Sequence, residues 1–142
     1  MTKKLVRVDV AFLFQLAGMK DKARVEPDVF HKAFDAYRAA HRRILQEYSD
    51  RPSACNADGT RAYRAEALSA FAEPRDGARV FAVWFTSARV FTRPMLIDLL
   101  VLCSMRMVDA AMEARIPCLF VGAREIKTYQ SVVCTEEHTE IF

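Results

Sequence analysis

Glycine and proline are scarce: 142 residues hold four of one and five of the other. So few breakers imply regular elements joined by short loops, and they exclude a low-complexity or collagen-like chain. Four cysteines, Cys55, Cys103, Cys118 and Cys134, form no C-x-x-C pair. Two of them fall in apolar segments, where cysteine acts as a small hydrophobe. Reduced thiols in a cytoplasmic chain are expected. The apolar run near the N-terminus is broken by Arg7 and Asp9, so it does not read as a signal peptide. No GxSxG, HExxH, Walker or GxGxxG pattern occurs, which removes the commonest nucleophile, metal and phosphate signatures. No repeat and no domain boundary is visible, so residues 1–142 read as one domain.

Hydrophobic residues make up 52% of the chain, enough for a sizeable core. Charge is unevenly spread. The first 25 residues carry six Lys/Arg against two Asp, and residues 94–142 carry four bases against seven acids. A basic front and an acidic back suit head-to-tail contacts or a polyanionic partner.

The most legible stretch is 79–122. Val80–Phe85 is a continuous apolar run after the turn signal Pro74-Arg75-Asp76-Gly77 and reads as a doubly buried strand. Pro94 to Arg115 reads as a helix, with proline in its first turn and a stop at Pro117. Cys118–Gly122 reads as a second strand. A helix between two strands predicts a crossover whose strands run parallel, adjacent or one apart.

Four charges in that helix, Asp98, Arg106, Asp109 and Glu113, share a stripe about 80° wide at 100° per residue. A bilayer centre would penalise each Asp or Arg by about 2.5–3.5 kcal/mol, so no membrane span is expected. The charged stripe reads as a wet edge, and the apolar flanks as packing on another helix or a second subunit.

Before this unit, residues 4–14 alternate as a strand, with Val6, Val8, Val10, Phe12 and Phe14 on one face. A helical turn near Gln15 is a possible sequel. Residues 27–49 form an amphipathic helix with Phe30, Phe34, Tyr37, His41, Ile44 and Tyr48 on one side. Residues 65–72 lean towards a hairpin arm. Beyond Gly122, a short helix is expected over 124–131, then edge strands at 132–134 and 139–142. The fold class is therefore α+β: a mixed sheet of about five or six strands with two main helices, 27–49 and 94–115.

Four places could carry chemistry. The loop 86–93 leads into a helix N-terminus and holds Ser87, Arg89, Thr92 and Arg93, an anion-site composition. Lys20, Lys22, Arg24, Arg38, Arg42 and Arg43 could contact nucleic-acid phosphates, although no nucleic-acid-binding motif accompanies them. His41 lies in an apolar stripe and reads as a core or interface histidine. Cys134 and His138 are two potential ligands where a metal needs three or four, so no metal is expected.

The order of strand Val80–Phe85, loop 86–93, helix 94–115 and strand 118–122 resembles, in layout, the cofactor-binding half of the acyl-CoA N-acyltransferase superfamily. The resemblance implies an acyl-CoA or similar phosphorylated ligand at loop 86–93. That loop supplies Arg89 and Arg93 but lacks the family's glycine-rich turn.

With no convergent catalytic set, the favoured reading is non-enzymatic and cofactor-free: a regulatory or adaptor protein that forms a homo-oligomer, a dimer foremost, and binds a protein partner. Phe30, Tyr37 and Tyr48 and the apolar excess of helix 94–115 carry that reading. The acyltransferase-like ligand site comes second and nucleic-acid binding through 20–43 third.

Overall fold

The computed structural model of the chain describes residues 4–16, 27–50, 63–67, 80–130 and 135–141. Their order is β1 (Lys4–Leu16), α1 (Pro27–Asp50), β2 (Tyr63–Ala67), β3 (Val80–Ser87), α2 (Arg93–Ala114), β4 (Cys118–Gln130) and β5 (Thr135–Glu140). The strands form one sheet in the order β2-β3-β1-β4-β5.

Every neighbouring pair in that sheet is antiparallel. The expectation of a mixed sheet is corrected here. β3 and β4 do run in the same direction across helix α2, but β1 is inserted between them and pairs with both. β1 and β2 are likewise separated by β3. Two interleaved crossovers of this kind make the split-βαβ, ferredoxin-like arrangement, extended by β5 at one edge.

β1 is central, and one of its faces is buried throughout. Val8, Val10, Phe12, Phe14 and Leu16 on that face are buried, as is Ala11 on the other. Val6, expected among them, is 46% exposed, because the pairing with β4 shifts register between Leu5 and Arg7. The strand runs on through Leu16, where a helical turn was a possible sequel.

The helices cover one face. Tyr37 and Phe81 rings lie 5.0 Å apart, Tyr48 and Phe85 5.7 Å, and Phe30 stacks on Phe81 at 6.4 Å, so α1 lies over β3. Its apolar stripe is the one that the spacing predicts. Tyr37 and Tyr48 are buried in it, so these two rings serve the core and are not open to a partner. The Tyr37 hydroxyl donates to the Ala82 carbonyl at 2.8 Å, and burial pushes its pKa up. α2 contributes Leu99, Leu102, Cys103, Met107, Ala110 and Ala111 to the same core.

β4 departs most from expectation. Residues 124–130 are strand, not the short helix predicted over 124–131. Arg124, Ile126 and Thr128 alternate with Glu125 and Lys127, and the long β1 edge gives this polar alternation a ladder along its whole length. A bulge lies at Val121, since Gly122 faces Leu13 while Phe120 faces Phe14. Gly122 has φ 154° there, a backbone region that favours glycine.

Residues 63–67 form the hairpin arm, with Ala67 opposite Val83 and Tyr63 opposite Ser87; it begins two residues before the expected 65–72, of which 68–72 lie outside the described residues. The edge strand expected at 132–134 lies outside the described residues, and the one expected at 139–142 begins earlier, at Thr135.

Candidate functional site

The anion-site composition at loop 86–93 is used largely for the loop's own geometry. The Ser87 hydroxyl accepts from the Arg89 backbone N–H at 3.0 Å, and Ser87 is buried. Thr92 is the N-cap of α2: its backbone is extended (φ −76°, ψ 158°) and its hydroxyl accepts from the Met95 N–H at 3.4 Å. Its carbonyl accepts from Leu96 N at 3.0 Å. Phe91 is buried and pins the loop to the core, whereas Arg89, Val90 and Arg93 are exposed. Two exposed cations therefore flank a capped helix start. Pro94 removes one of the donors that this start would otherwise offer.

Lys127 joins this end of the sheet from β4, since Ser87, Val8 and Lys127 are register partners in one row. Two rows on, and on the same face, lie Phe85, Val10 and Glu125. The Glu125 carboxylate, with only 7% of its side chain exposed, accepts from Lys127 at 3.1 Å. This hydrogen bond and ion pair push the Lys127 pKa up. Lys127 thus neutralises a carboxylate that would be costly to bury alone.

On α1, Arg38, Arg42 and Arg43 are exposed. Arg38 sits over the Phe34 ring at 5.7 Å, and Arg43 reaches Glu113 at 3.5 Å. Lys20, Lys22 and Arg24 lie outside the described residues, as do Cys55 and Cys134. His41 is half-buried beside Tyr37, with its Nε2 shielded and unpartnered, and burial pushes its pKa down. Among the described residues, no three His, Cys, Asp or Glu side chains are grouped to hold a metal. Nor is any helix among them long and apolar enough to cross a membrane.

The charged stripe of α2 is a wet edge that also bridges to α1. Arg106 pairs with Glu47 of α1 and with Asp109 at 2.8 Å, and Glu113, its side chain 66% exposed, faces Arg43. The charges thus line the solvent-exposed rim of the seam between the helices. The face pointing away from the sheet is apolar instead: Ile97 is 46% exposed, Val101 47%, Met105 51%, Val108 41% and Met112 71%. At 100° per residue these five fall within about 80° of one another, one continuous ridge along the helix. A signal for this lay in α1. Arg43 and Glu47 stand four residues apart on one side of it, matching Glu113 and Arg106 in charge and in antiparallel order.

No protein-family model matches the chain, and no curated protein matches it significantly. The site is therefore read from its own geometry.

Proposed function

We propose that this is a non-enzymatic regulatory or adaptor protein that self-associates, a dimer foremost, and engages a protein partner through the assembled form. The observation that carries this reading is the outward ridge of α2. Single exposed aliphatic side chains are ordinary, but five in one line form a contiguous patch of the kind that marks an interaction surface. Burying the exposed half of five such side chains is worth about 4–7 kcal/mol per copy, at about 1.5–3 kcal/mol per fully buried side chain. Two copies together then offset much or all of an association cost of about 4–15 kcal/mol. Val101→Glu with Met105→Glu tests the reading by light scattering after gel filtration. The unsubstituted chain should run as an oligomer and the variant as a monomer with an unchanged circular dichroism spectrum, its melting temperature lower only by the association it has lost. A substituted chain that keeps the same mass would remove the ridge from the account.

A second reading, a phosphorylated ligand of the acyl-CoA class at loop 86–93, draws on the exposed Arg89 and Arg93 at the start of α2. A ligand at 100 times its dissociation constant stabilises the folded chain by about 2.7 kcal/mol. Acetyl-CoA should then raise the melting temperature, and Arg89→Ala with Arg93→Ala should abolish the rise. No rise with the unsubstituted chain would dispose of this reading.

A further inference from the structure

We propose that a second copy of this chain covers the α2 ridge, with the two α2 helices packed antiparallel about a two-fold axis that passes between Met105 and Val108. This inference rests on the self-association reading above and says how the two copies meet. Val101, Met105, Val108 and Met112 recur at four, three and four residues. That is the spacing of a two-helix seam, in which apolar positions repeat every 3.5 residues. All four are exposed on the face that points away from the sheet. α1 meets α2 along a different flank, through Arg43 with Glu113 and Glu47 with Arg106. Among the described residues, the seam therefore has no second helix.

Charge fixes the direction of the pair. One further step of three residues at each end of the seam reaches Asp98 and Arg115. On the helical wheel Arg115 falls within the ridge, and Asp98 about 20° beyond Met105. A parallel pair about a two-fold axis sets each layer against itself, Asp98 on Asp98 and Arg115 on Arg115, so like charges meet at both ends. In the antiparallel pair the layers are Asp98 with Arg115 of the second copy, Val101 with Met112, and Met105 with Val108, each occurring twice. The middle layers are then wholly apolar and both ends join opposite charges.

The end residues suit these roles. Arg115 is exposed at the C-cap of α2. Asp98 has an interaction within its own chain. A carboxylate accepts from more than one donor, so the pairing with Arg115 adds to that interaction and does not replace it. Ile97, beside Asp98, packs against the aliphatic stem of the same arginine. All five ridge side chains are thus covered by the one joint.

The test is oxidative cross-linking of the full chain carrying one added cysteine, alongside sedimentation of charge-reversed variants. A disulfide needs Cα atoms within about 7 Å. Positions 101 and 112 share a layer across the antiparallel pair, whereas each stands about 16 Å along the axis from its own copy, at about 1.5 Å per residue. Val101→Cys mixed with Met112→Cys should give a covalent dimer on oxidation, above the background of the unsubstituted chain with its native cysteines. Neither variant should do so alone. Asp98→Arg or Arg115→Asp should weaken the dimer about tenfold, and the two together should restore it to within about threefold. A dimer in which Val101→Cys links to itself, or in which the mixture gives no added link, would overturn the antiparallel joint and leave self-association standing. So would a double reversal no tighter than the single ones. A monomer at every concentration would overturn both. If Asp98→Arg misfolds, cross-linking decides alone.

Discussion

Replacing Arg106 by leucine tests the seam between α1 and α2. The guanidinium is 23% exposed and pairs with Glu47 and Asp109, whose side chains are 41% and 46% exposed. Removing it leaves two carboxylates side by side at a partly desolvated seam. The partners' exposure allows solvent to screen each pair, so the scale lies between a surface pair, about 0.2–1 kcal/mol, and a broken buried pair, about 3–5 kcal/mol. About 1–2 kcal/mol is expected, which lowers the melting temperature by about 2–8 °C for a chain of this size. Leucine keeps most of the packing area, so the loss reports charge more than volume. Urea unfolding of Arg106→Leu, Glu47→Leu and the double variant closes a cycle, and the two changes should couple by about 0.5–1.5 kcal/mol. If Arg106 instead faced solvent without pairing across to α1, the single change would stay within about 0.5 kcal/mol and the cycle would be additive. That result would refute the orientation of α2 described here.

Two further outcomes follow from buried polar groups. Tyr37→Phe strands the Ala82 carbonyl and should cost about 1–3 kcal/mol in urea unfolding; a change below about 0.3 kcal/mol would mean that the hydroxyl carries no net stability. His41 has a depressed pKa from burial, so folding favours its neutral ring. Its contribution is fully present above about pH 6.5, the ordinary imidazole value, and is lost as pH falls below that. His41→Leu should therefore flatten the decline in stability between pH 7.5 and 5; an unchanged pH profile would assign that decline to other groups.

Much of the fold is legible in local pattern. Pro94 and Pro117 bracket α2, and the three-and-four spacing from Phe30 to Tyr48 marks both α1 and the side it buries. The apolar run Val80–Phe85 marks a strand, although the helices cover only the face of Phe81, Val83 and Phe85, and Val80 and Trp84 on the other face are half-buried. What was not legible depends on long-range pairing. The insertion of β1 between β3 and β4 makes the sheet antiparallel throughout, and no local pattern encodes it. The second half of β4 was missed because Arg124–Gln130 alternates polar residues, and only the length of β1 turns that alternation into a strand.

The functional surfaces divide in the same way. The helical wheel of α2 identified a charged stripe and an apolar remainder, but not which of them faced α1. The hydroxyls of Ser87 and Thr92 looked like ligand donors in sequence, and their spacing to Arg89 N and Met95 N commits both to the loop itself. Arg89 and Arg93 are the charged members of that group at the surface, with Thr92 exposed between them.

The account stands most directly on the mass of the unsubstituted chain in solution, measured by sedimentation equilibrium from submicromolar to high micromolar concentration at physiological salt. It predicts a reversible rise from the 16.2 kDa of one copy to twice that value. A mass that stays at one copy across the whole range would contradict it.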